Sequence, residues 1–92
     1  MRKYIAVHTM PQPTSVEDAT PLVRKMLDNE GSNAYWVGSW AQTNAEGKVL
    51  KIFCEWNAPD EKTIRDVFAK VPEFPLDSIH PMTKIDSADF RQ

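Results

Sequence analysis

The sequence predicts an α+β fold, a ferredoxin-like β-α-β-β-α-β chain whose four-stranded antiparallel sheet has the order 4-1-3-2 and carries both helices on one face. Three observations predict it. A long hairpin fills the middle of the chain, from Ala34 to Gln42 and from Lys48 to Asn57, closed by the polar turn Thr43-Asn-Ala-Glu-Gly47. One helix-periodic stretch precedes it and a clearer one follows it. A short alternating segment stands near each end of the chain.

The first strand is Lys3 to Thr9, where Ile5 and Val7 alternate with Tyr4, Ala6 and His8, and Met10-Pro-Gln-Pro13 is expected to stop it. Thr14 or Ser15 can cap a helix, with acids three residues on at Glu17 and Asp18. Pro21 falls where an interior amide is needed, so a broken helix is expected. Its better-formed part takes Thr20 as cap and Pro21 as first residue, buries Leu22, Val23, Met26 and Leu27, and stops at Gly31. The second helix starts at Pro59-Asp-Glu, acids where the helix dipole favours them, and carries Ile64, Val67, Phe68 and Val71 at i, i+3, i+4 and i+7. Asp77 to Asp86 supplies the last strand, and Pro81 within it demands a sheet edge.

Composition bounds the rest. The 92 residues form one domain spanning 1–92, 41% apolar and 26% charged, able to bury roughly 60–65% of the surface the unfolded chain exposes. Lys and Arg are scattered singly among acids and the net charge is −2, which disfavours nucleic acid. No apolar run reaches signal-peptide or membrane-helix length. A lone cysteine, Cys54, allows no internal disulfide and fits a reducing, cytoplasmic setting.

Alternation assigns the strand faces. Leu50, Ile52, Cys54 and Trp56 form an apolar row and go beneath the helices, so Phe53 and Glu55 face outward. On the second strand Tyr35, Val37, Ser39 and Ala41 go inward, leaving Trp36 and Trp40 outside. Ile5 and Val7 go inward, so His8 goes outward with Tyr4 and Ala6. Ile79, Thr83 and Ile85 go inward, which leaves His80, Met82 and Lys84 outside. Reading strands one and three as parallel then brings His8, Glu55, Trp36 and His80 into one row at one end of the open face.

That row suits a metal, a proton shuttle or a polar ligand. The candidate ligand site is His8, Trp36, Trp40, Phe53, Glu55, His80 and Met82, and within it His8, Glu55 and His80 match a two-histidine, one-carboxylate set for a divalent transition metal. Sheet-face histidines are also common as solvated bystanders, and the aromatic patch serves equally as an interface. A homodimer that buries the two open faces is the expected association. Cys54 reads as an inert core thiol, and Asp60, Glu61 and Asp66 as ordinary helix-start and solvated acids. No phosphate loop, nucleophile elbow or zinc spacing is present.

The chain resembles a family of small ferredoxin-like bacterial proteins that includes the nickel-responsive, nickel-binding protein. The likeness rests on Tyr4-Ile-Ala-Val-His-Thr-Met10, Glu46-Gly-Lys-Val49, Ile52-Phe-Cys54, Ala58-Pro-Asp with Ile64-Arg, and Phe74-Pro-Leu-Asp-Ser-Ile79. It implies the fold, a dimer and, in its nickel-binding members, a first-strand histidine equivalent to His8. Further histidines of those members look equivalent to Phe68 and Phe74, side chains that cannot ligate nickel. The favoured function is a small dimeric binding or sensor protein with a ligand or metal site on the open face. The alternatives are a cofactor-free enzyme of the dimeric α/β-barrel type, a monooxygenase or isomerase with His8 or His80 as base, and a purely structural interaction subunit.

Overall fold

The computed structural model describes residues 1–91. Its elements are β1 (Arg2–Thr14), α1 (Val16–Asp28), β2 (Tyr35–Thr43), β3 (Val49–Ala58), α2 (Glu61–Ala69), β4 (Ser78–Pro81) and a 3-10 turn at Ser87–Asp89. The four strands form one sheet of order β2-β3-β1-β4, which reads 4-1-3-2 from the opposite edge. Each neighbouring pair is antiparallel. The parallel pairing of β1 with β3 expected from sequence is therefore corrected, and with it the register of the whole site.

The hairpin forms for local reasons. Asn44 Oδ1 accepts from the backbone N–H groups of Glu46 and Lys48, and Gly47 supplies the left-handed residue at φ 77°. On β3, Ile52, Cys54 and Trp56 are buried beneath the helices, with Leu50 half-buried, while Phe53 and Glu55 lie on the other face. The parity of β2 breaks at a bulge between Trp36 and Gly38. One extra residue turns the strand over, so Trp36 sits opposite Trp56 on the helix side and Trp40 opposite Phe53 on the open side. Tyr35 lies opposite Asn57 and accepts from its side-chain amide, on the open side rather than beneath the helices.

β1 shows the opposite faces from those expected. Tyr4, Ala6, His8 and Met10 are buried in the helix-covered core, and Ile5 and Val7 belong to the open face. Register enforces this: Ala6 lies opposite Cys54 and Ile79, and His8 opposite Ile52. The prolines do not end the strand. Pairing with β3 lapses between Thr9 and Thr14 and resumes at Val49, so Pro11 and Pro13 sit where no ladder N–H is required.

α1 begins at Val16, not at Pro21, because Ser15 caps it by accepting from Asp18 N. Pro21 lies inside the helix, in its second turn, and the helix continues through it; the neighbouring Thr20 hydroxyl donates to Val16 O. Ala19 and Met26 are its buried residues; Leu22 and Val23 are partly covered, and Leu27 is exposed. α2 is capped by Asp60, whose carboxylate accepts from both the N–H and the hydroxyl of Thr63, which places Pro59 before the cap. Ile64, Val67 and Phe68 then join Tyr4, Cys54 and Trp56 in the core, Phe68 edge-on to Trp56, each contributing about 1.5–3 kcal/mol by burial. β4 is only four residues long and lies at the edge; beyond it Thr83 and Ile85 are exposed rather than inward.

Candidate functional site

The open face is read row by row from the pairings. Gly38, Glu55, Ile5 and His80 form one row, and Trp40, Phe53, Val7 and Ser78 the next. Lys3 stands two residues before Ile5 on the same face. As the diagonal neighbour of Glu55 it meets that carboxylate at 2.5 Å. Past β4, Met82 is held by its N–H donating to Lys3 O at 2.9 Å. Lys3, Ile5, Glu55, Trp40, Met82 and Lys84 thereby line a groove of 280 Å³. Trp40 forms its wall and is 80% exposed. Gly38, next to it, has no side chain, and a Cβ there would meet nothing within 4 Å.

Of the seven residues predicted to bind a ligand, Trp40, Phe53, Glu55, His80 and Met82 share the open side. His8 and Trp36 do not. Trp36 lies on the helix side through the bulge and donates from Nε1 to Ser39 Oγ. His8 belongs to the core because β1 presents its even-numbered residues to the helices. The expected metal triad is thus divided between two faces: Glu55 and His80 flank Ile5 on one, and His8 is buried on the other. Glu55 and His80 are two strand spacings apart, about 9.6 Å. Glu55 is engaged by Lys3, and His80 Nε2 lies 2.9 Å from Ser78 Oγ. Among the described residues no group of three or more metal-ligating side chains gathers. Alternation already leaves Lys84 outside, whereas Lys3 and Ile5 do not follow from it; their i, i+2 spacing reveals them once the faces of β1 are set correctly.

His8 occupies a niche of its own. Its Nδ1 lies 2.6 Å from Pro75 O, and since a carbonyl only accepts, Nδ1 carries the proton. Nε2 is then a bare lone pair, buried and without a partner. The ring packs at 4.2 Å from Phe74 and 4.7 Å from Phe68. Burial pushes its pKa down, opposed by the Pro75 bond and the nearby Asp77 carboxylate. Asp77 is itself held at Thr9 by the threonine hydroxyl. The positions for which the resemblance implies metal ligands do converge here, but the donor set is one imidazole and two phenyl rings. It does not fit a nickel ion.

A smaller crevice of 180 Å³ lies between α1 and the sheet, touching Ala19, Val23, Ser39 and Ile52. Its Ser39 hydroxyl is engaged, accepting from Trp36 and donating to Cys54 Sγ. The Cys54 thiol is fully buried and its pKa is pushed up to about 11 by that burial, against a smaller opposing effect of the Ser39 bond. It is no nucleophile at neutral pH.

Fold and site together define a small α+β domain with one sheet face clothed by helices and the other open. The chain belongs to the family described as nickel responsive protein SCO4226-like, which matches residues 4–82. Among solved structures it is similar to the crystal structure of SCO4226 from Streptomyces coelicolor A3(2), with a TM-score of 0.73 and 15% identity over 91% of this chain and 99% of that one. At that identity the likeness shows the fold. No curated protein matches the chain. No helix among the described residues is long and apolar enough to cross a membrane.

Proposed function

We propose that this protein is a small, non-enzymatic binding or sensor protein of ferredoxin-like build, which takes a small ligand in the groove of its open sheet face and pairs with a second copy through that face. The observation that carries the reading is Trp40, 80% exposed, with Met82 at 46% beside it. Exposed apolar surface of this kind concentrates at ligand and association sites. An isologous pairing of two open faces would set the two grooves facing one another about one two-fold axis, with each Trp40 walling the ligand space between the sheets. A reducing compartment such as the cytoplasm suits the lone, buried Cys54.

Nickel responsiveness describes the family, and two observations keep it from this chain's mechanism. Phe68 and Phe74 enclose His8, and Glu55 is already paired with Lys3. The enzyme alternative loses its first-strand base, because the free nitrogen of His8 is sealed among phenyl rings. Sedimentation velocity tests the proposal. The wild type is expected to be a dimer at micromolar concentration and Trp40→Glu a folded monomer. A wild type that stays monomeric across that range refutes pairing through the open face.

A further inference from the structure

The groove on the open face has a definite charge character. Lys3 and Lys84 bring two ammonium groups to it, and Glu55 brings one carboxylate. Glu55 is matched by Lys3 at 2.5 Å, both side chains being about two-thirds covered. A cation entering the groove has to displace Lys3 from a carboxylate that is already neutralised. An anion finds donors already in place, since an ammonium carries three and Lys3 spends one of them on Glu55. Lys84 is held only at 3.5 Å by Asp86 and remains largely exposed, free to turn toward a bound anion.

The remaining lining is apolar and flat. Trp40 presents an exposed indole, Ile5 a β-branched floor and Met82 a thioether that packs well against ring edges. At 280 Å³ the groove lies just below the usual range for ligand pockets, about 300–1,000 Å³. It accommodates one or two fused rings and no large nucleotide cofactor. We propose that the groove binds a small aromatic carboxylate, its ring against Trp40 and Met82 and its carboxylate on Lys3 and Lys84. This rests on the binding reading above and names the ligand class of that same site.

The test uses three probes with one ring system and different heads: 2-naphthoate, 2-naphthalenemethanol and 2-naphthylmethylamine. Each is titrated into the ¹⁵N-labelled protein while the Trp40 indole N–H and the Lys3 amide are followed by NMR. The carboxylate is expected to move both signals and to bind about tenfold tighter than the alcohol, with the amine weakest. The two halves of the ion pair then give opposite responses. Glu55→Gln releases Lys3 and should tighten 2-naphthoate about threefold to fivefold, whereas Lys3→Gln leaves Glu55 unpaired and should weaken it about tenfold. Equal binding of alcohol and carboxylate, or tightening by Lys3→Gln, overturns the ligand class and leaves the groove as a binding site. If none of the three probes shifts Trp40, the groove itself and the binding reading both fall.

Discussion

Acidification should weaken the folded state through His8 before the carboxylates titrate. An unfolded chain carries this imidazole at its ordinary pKa of about 6.5. In the folded chain burial holds the pKa below that value, with the Pro75 carbonyl and Asp77 opposing. Stability from this group is therefore complete above about pH 6.5 and declines as pH falls, because the unfolded state takes up a proton that the folded niche refuses. Between the two pKa values the slope is about 1.4 kcal/mol per pH unit. With a urea dependence of about 1 kcal/mol per molar for a chain of this size, the midpoint should drop by about 1.4 M per pH unit in that window. Urea unfolding at intervals from pH 7.5 to 5.0 measures it, with His8→Asn as reference. Asparagine keeps an N–H donor near the position of Nδ1 and cannot titrate, so carboxylate contributions cancel in the difference. Parallel curves for the two proteins would refute the claim that a neutral His8 is sealed in the core.

Two further outcomes follow from the same geometry. Native-state labelling of Cys54 should be slow at neutral pH and accelerate on adding denaturant, since the thiol is buried with its pKa near 11; fast labelling of the folded chain would contradict its place under the helices. Phe68→His combined with Phe74→His should create a three-imidazole niche around His8 and bring micromolar nickel affinity, at a cost of about 2–4 kcal/mol in stability. Calorimetric titration with nickel checks this, and a folded double variant that binds no tighter than the wild type would show that the three side chains do not converge.

The hairpin and the third strand were legible because their patterns are one-sided. Leu50, Ile52, Cys54 and Trp56 leave no competing row on β3, and Asn44 with Gly47 fixes the turn. β1 was not, since Tyr4, Ala6 and His8 are as burial-competent as Ile5 and Val7; only pairing with Cys54 and Ile79 chooses between them. The same pairing decides the site. Antiparallel β1 and β3 put Ile5, not His8, between Glu55 and His80, so Glu55 and His80 lie on the open face as alternation expects and His8 lies on the opposite one. Trp36 was misplaced by a bulge for which alternation carries no mark. Pro21 misled in another way: it stands inside α1, in the second turn, and the helix capped by Ser15 runs through it without the N–H that would bond Glu17 O.

The two edges of the sheet are unequally guarded. On one side β4 presents four residues and ends at Pro81, a poor template for another strand. On the other, β2 runs for nine residues without a single charged side chain or proline, and the bulge near Gly38 is its one irregular stretch on that half of the strand. A chain that meets its neighbours at high concentration therefore has a preferred side on which to add a strand. Overexpression and concentrated storage raise how often two such edges meet. A lysine placed at Gln42, on the outer end of that edge, would discourage strand addition there while leaving the groove and the His8 niche untouched.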